Sequence, residues 1–174
     1  MNDLLGGAAP RFDEPLEILR ACHGRIGAQC ATLNKLLAHL PQHGCDEQAQ
    51  QAARAVLRYF DTAGQHHHDD EEHDLFPALL EVAPAETGAL IERLLGEHIG
   101  MEEAWRALRP QLLALTQGEA ALDAATVHRF NEAYARHIEL ENGTLLPLAR
   151  RVLSDAQVRT LGASMAARRG VKQD

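Results

Sequence analysis

Four separate stretches of this chain repeat apolar residues every three or four positions, and each carries a histidine in the middle of its apolar stripe. That period marks a helix with one buried face, so the chain is constrained to pack helices whose contact faces are interrupted by polar rings. The first stretch, 14–40, has Leu16, Leu19, His23, Ile26, Cys30, Leu33 and Leu37 on one stripe, and Pro41 and Gly44 are expected to end it. The second, 46–82, carries Ala53, Val56, Phe60, Ala63, His67, Glu71 and Leu75, with Pro77 expected to kink it or start a new turn. The third, 84–115, carries Ile91, Leu94, His98, Glu102, Trp105 and Leu108, and Pro110 is expected to bend its end. The fourth starts near Asp123 and carries Val127, Phe130, Tyr134, His137, Glu141 and Leu145, then Pro147. A short fifth helix is expected after Ser154, a suitable N-cap, running to about Arg168. Short connections imply antiparallel neighbours. The expected fold is all-α: an up-down-up-down four-helix bundle over 14–153 with a short extra C-terminal helix in 154–174 and a flexible lead-in over 1–13. The fifth helix is expected to pack outside the bundle or to join a dimer contact.

Two of the stretches share a pattern. His67-x-x-x-Glu71-Glu72-x-x-Leu75-Phe76-Pro77 matches His137-x-x-x-Glu141-Asn142-x-x-Leu145-Leu146-Pro147, and Phe60 and Phe130 each precede their histidine by one heptad. Of the run His66-His67-His68, only His67 occupies the place equivalent to His137. His66, His68 and His73, beside Asp69, Asp70 and Asp74, are read as a solvated acidic face, and His39, His43 and His128 are given no role.

The chemistry lies in the convergence. Glutamates follow three of the mid-stripe histidines by four residues: Glu71 after His67, Glu102 after His98 and Glu141 after His137. Positions i and i+4 lie one above the other on a helix. Each pair would therefore aim an imidazole and a carboxylate into the same part of the core, and no Lys or Arg shares those stripes. A buried ionised carboxylate is costly unless it is paired or coordinates metal. A pair of cations, with His23, His67, His98 and His137 capping and the carboxylates bridging, removes that cost. Imidazole with carboxylate suits iron, and manganese or zinc less decisively. Gly27, Ala63 and Gly64 near the ligands either leave room for a small molecule or let helices approach, and Tyr134 either faces the site or fills the core. Cys30 is read as a buried apolar thiol.

Composition narrows the class. The formal net charge is -8 and no basic cluster stands out beyond Arg168, Arg169 and Lys172, so nucleic acid is not an expected partner. No apolar run is long enough for a membrane span. Residues 1–13 have neither the basic start nor the apolar centre of a secretory signal, and three cysteines form no framework, so a cytoplasmic location is expected.

A histidine on the first stretch, then H-x-x-x-E-E-x-x-L-F-P, E-H-x-x-x-E and H-x-x-x-E-x-x-x-L-L-P, together resemble the hemerythrin-like HHE cation-binding family over roughly 14–153. The resemblance implies a four-helix bundle holding two non-haem iron ions, bridged by oxo or hydroxo and by two carboxylates. It implies a small-molecule partner: dioxygen, nitric oxide or peroxide. Carried over position by position, the ligands are His23, His67 with Glu71, His98 and His137. Two positions depart from the oxygen-carrier pattern: Glu102 stands where a second histidine of the third helix belongs, and Asn142 where a bridging aspartate belongs, leaving Glu141 as the second bridge.

Added negative charge at the metals favours the ferric state. Sensing or handling of oxygen or redox chemistry is thus expected rather than reversible carriage. A di-iron peroxidase, oxidase or nitric-oxide-reactive enzyme is the first alternative, and an iron store or structural bundle the second. A monomer or homodimer is expected.

Overall fold

The computed structural model describes residues 10–119 and 122–171; of the segments read from the sequence, 1–9 of the lead-in and 172–174 of the tail lie outside the described residues. All regular structure among the described residues is helical. Helix α1 spans Pro15–His43, with proline in its first turn, where the missing N–H is no loss. It runs through Pro41 rather than stopping there, and ends at Gly44, whose φ of 68° is left-handed and suits glycine. Helix α2, Glu47–Phe60, is capped by the Asp46 carboxylate accepting from the Ala49 N–H.

The single helix expected over 46–82 is interrupted at Asp61 and Thr62 and resumes as α3, Ala63–Asp70. The chain then widens into a π-helical turn, Glu71–Leu75, and continues as α4, Phe76–Val82. Helix α5 spans Thr87–Thr116 and stays α-helical through Pro110. The fourth stretch is α6, Ala124–Leu140, a second π turn, Glu141–Leu145, and α7, Leu146–Val152. Helix α8, Asp155–Arg168, opens on a full capping box between Ser154 and Gln157, as the sequence signal requires.

The two π turns occupy the same place in the repeated motif, directly before Phe76-Pro77 and Leu146-Pro147. Proline cannot donate to the carbonyl four residues back and crowds it. A wider turn, closed by Phe76 N–H on Glu71 O and Leu146 N–H on Glu141 O, absorbs that conflict without ending the helix.

Helix α1 packs on α2 and α6, and α5 packs on the same two helices. The core has two apolar parts. One gathers residues such as Leu33, Phe60, Leu108 and Phe130; the other gathers Leu19, Phe76, Leu94 and Met165, the last from α8. Between them lies a buried polar layer. Helix α8 rests on α1 and α3, with Gly162 so close to the Phe12 carbonyl that a side chain there would collide with it. No helix among the described residues is long and apolar enough to cross a membrane.

Candidate metal centre

The polar layer contains His23 from α1, His67 from α3, Glu71 from the first π turn, His98 from α5, His137 from α6 and Glu141 from the second π turn, all at most 3 % exposed. Their donor atoms form two groups that share both glutamates: His23, His67, Glu71 and Glu141, and Glu71, His98, His137 and Glu141. Glu71 turns Oε1 to His67 Nε2 (3.4 Å) and to His23 Nε2 (3.9 Å), and Oε2 to His98 Nε2 (3.3 Å). Glu141 turns Oε2 to His23 Nε2 (3.0 Å) and Oε1 to His137 Nε2 (3.2 Å). The Nε2 atoms of His98 and His137 stand 3.0 Å apart. Each carboxylate thus offers one oxygen to each group. Separations of this order are what adjacent donors show around one cation with bonds of roughly 2.1 Å.

Both oxygens of Glu71 and both of Glu141 are buried without a hydrogen-bond partner among the described residues, as is His23 Nε2. Orphaned buried carboxylate oxygens require an explanation, and a bridged pair of cations supplies one. The electrostatics agree. Burial disfavours charge on His23, yet the Glu141 and Glu71 carboxylates raise its pKa to about 10. The pKa values of His67 and His137 are raised too, because Glu71 beside the first and Glu141 beside the second outweigh burial. Against the cost of burial, these imidazoles hold Glu71 below, and Glu141 well below, the ordinary carboxylate range. The layer is built to neutralise negative charge with positive charge, and a proton on Nε2 competes with a cation there.

The partners behind the imidazoles were not read from the sequence. The His98 Nδ1–H donates to Glu72 Oε1 (2.6 Å), His137 Nδ1–H to Glu97 Oε2 (2.9 Å) and His23 Nδ1–H to Asn142 Oδ1 (2.8 Å). Such partners fix which nitrogen faces a metal and how the ring is turned. A signal was present: Glu72 and Asn142 are equivalent in the repeated motif, each directly following one of the two shared glutamates, and each serves a histidine of a helix outside the motif.

Two readings require correction. Glu102 does not join the centre. The buried stripe of α5 passes from His98 to Met101 and Ala104, so the i+3 side of His98 faces the core and the i+4 side faces solvent. The Glu102 side chain is 70 % exposed and accepts from Arg106 Nη2 at 3.1 Å. Asp70 is fully buried and so is no part of a solvated face, and neither is His68. Its ring stacks on His98 with centroids 4.1 Å apart and lies parallel to Tyr134 at 5.9 Å. Its Nε2 is buried without a partner among the described residues, and burial with neighbouring imidazoles holds its pKa well below the ordinary value. His73, by contrast, is exposed, as expected.

A cavity of about 340 Å³, open to solvent, reaches this layer between α3 and α5; Gly64, His68, Glu72, His98, Trp105 and Tyr134 line it, with Glu102 near its mouth. His98 is the one member of the two donor groups that lines it.

Fold and site together define a helical bundle with a buried layer of four histidines and two glutamates whose donor atoms could hold cations. The sequence matches the family described as Hemerythrin HHE cation binding domain over residues 14–149, and the chain belongs to that family. It is also 37% identical over 163 residues to an uncharacterized protein of Haemophilus influenzae, covering 93% of this chain and 94% of that one.

Proposed function

We propose that the centre holds two iron ions and that the protein senses or handles dioxygen, nitric oxide or peroxide there. The observation that carries this reading is the pair of shared glutamates, whose four buried oxygens have no hydrogen-bond partner among the described residues. Two imidazoles and two carboxylate oxygens per position match iron in preference to softer, thiolate-seeking metals. Iron in that setting supplies one-electron chemistry and a Lewis-acidic point for a small ligand. The residues set access and orientation: the cavity brings a small molecule to His98, and His68 and Tyr134 line it beside that ring. The donors are too deeply buried for a larger substrate to touch them.

This reading takes the helices as an up-down-up-down four-helix unit over 14–153, which the packing of α1 and α5 on both α2 and α6 supports. It places a monomer or homodimer in a reducing cytoplasm, supported by three free cysteines. Manganese and zinc are substitutes the donor set would accept.

Metal analysis and an optical spectrum of the protein purified without a histidine tag test the proposal. Two irons per chain with near-ultraviolet charge-transfer absorption are expected; a protein that takes up no iron under reducing, anaerobic loading overturns it. The solvent-open cavity favours a second reading, turnover of peroxide. Sustained oxidation of a reducing dye by the iron-loaded protein would establish an enzyme, and a single stoichiometric reaction a sensor or scavenger.

A further inference from the structure

The two donor groups are alike in their inner atoms and unlike in what stands behind them. Behind His98 and His137 are two carboxylates, Glu72 and Glu97. Behind His23 is the neutral amide of Asn142, and beside His67, whose Nδ1 has no hydrogen-bond partner among the described residues, is the Cys22 thiol. A carboxylate accepting from Nδ1–H draws that proton away and makes Nε2 a stronger donor, whereas an amide or thiol does so far less.

Neighbouring charges do not cancel this difference. The Cys22 sulfur accepts from Arg25 Nη2 at 3.0 Å, so any negative charge it takes is matched by the guanidinium. Glu97 is also paired, with Arg93 Nε at 2.8 Å, but the Arg93 side chain is 60 % exposed and its field is screened by solvent. Among the described residues, the Glu72 carboxylate pairs with His98 alone.

We propose that Glu72 and Glu97 are positioning residues that make the two cation positions unequal. With two irons held, His98 and His137 would be the stronger donor pair and favour the ferric state there, and His23 and His67 would favour the ferrous state. This deepens the di-iron reading and rests on it. Glu72 and Glu97 would thus make the His98 and His137 position the harder to reduce, so that the second reduction step would belong to it and the first to the His23 and His67 position, away from the cavity.

The test is a mediated dithionite titration of the iron-loaded, full-length protein, followed by absorbance and by electron paramagnetic resonance of the half-reduced species, with iron per chain measured in every sample. Glu72→Gln and Glu97→Gln are isosteric changes at partly exposed positions, and Glu102→Gln removes the same charge from the cavity mouth without touching an imidazole. Each of the first two should raise the second reduction step and leave the first in place. The constant governing the yield of half-reduced protein should fall about tenfold, which corresponds to about 59 mV in the separation of the steps. Glu102→Gln should change neither step. The inference is overturned if Glu72→Gln and Glu97→Gln move the first step, move both equally or move neither, or if Glu102→Gln matches them. A wild-type protein that holds no iron pair overturns the di-iron reading itself, a result the iron analysis separates from the others.

Discussion

Glu71 and Glu102 stand at the same distance from a mid-stripe histidine and have opposite fates, which shows how much an i+4 rule leaves undecided. A residue four positions on is rotated by about 40°, and three positions on by about 60° the other way. Which of them enters the core depends on where the stripe's centre lies. Around His98 the centre lies on the i+3 side, and Met101 is buried there. Glu102→Gln should therefore leave iron per chain unchanged, whereas Glu71→Gln, which replaces a bridging anion by a neutral amide, should lower iron retention at least tenfold. Dialysis against a graded chelator, read by iron analysis, checks both; equal retention in the two variants would remove Glu71 from the centre. That His23, His67, His98, His137, Glu71 and Glu141 meet in one buried layer was legible in the sequence because each repeats a position on a periodic stripe. His68 was not, since periodicity sets it one helical step from His67 and cannot show that its ring reaches across to stack on His98. Glu97 was not, because it precedes His98 in the chain yet serves His137 on another helix.

At the level of elements, Pro77 was legible as a disturbance, whereas the continuation of α1 through Pro41 and of α5 through Pro110, and the helix break, were not. The disturbance expected at Pro77 takes the form of a π turn, repeated before Pro147, and the two turns carry Glu71 and Glu141. The interruption at Asp61 and Thr62 was hidden inside an unbroken apolar stripe, because Val56, Phe60 and Ala63 keep the helical period across it. Its determinant is tertiary. The Asp61 carboxylate accepts from Arg109 Nε at 2.9 Å and Nη2 at 2.9 Å, and from Trp105 Nε1 at 3.3 Å, which ties the end of α2 to α5. The hydrogen bond with Arg109 holds the Asp61 carboxyl below its ordinary range. A depressed carboxylate stabilises the fold above its unfolded pKa of about 3.9 and loses that contribution as pH falls through the lower folded value. Asp61→Asn should therefore melt below the wild type at pH 7, and the difference should shrink as pH falls below about 4. Melting curves of both proteins across that range decide it, and a gap independent of pH would mean that the ion pair is not its source.

Over the whole molecule, the buried polar layer separates two apolar clusters, so each cluster alone is smaller than a domain core of this length would be. The C-terminal helix compensates by joining the cluster below the layer and by holding the charge behind it. Asp70, fully buried and next to Glu71, accepts from Arg169 Nη2 at 2.6 Å and Nη1 at 3.0 Å, and from Arg168 Nη1. Arg168 Nη2 also donates to Asp74 at 2.7 Å. Charge at the start of the first π turn is thus fixed by the end of the C-terminal helix. Removing one side of a buried pair leaves the other side uncompensated and costs about 3–5 kcal/mol. For a chain of this size that lowers the melting temperature by roughly 6–20 °C. Arg168→Ala with Arg169→Ala should show this loss, and adding Asp70→Asn should recover most of it, because a neutral amide no longer needs the two cations. Iron retention should follow the same order, since an unpaired Asp70 carboxylate is free to compete with Glu71 for the cations and protons of the layer. Calorimetry and iron analysis on the wild type, the double and the triple variant test the argument. A double variant that melts within a degree or so of wild type, or a triple variant no better than the double, would show that α8 contributes packing against the lower cluster and no control of the charge behind the centre.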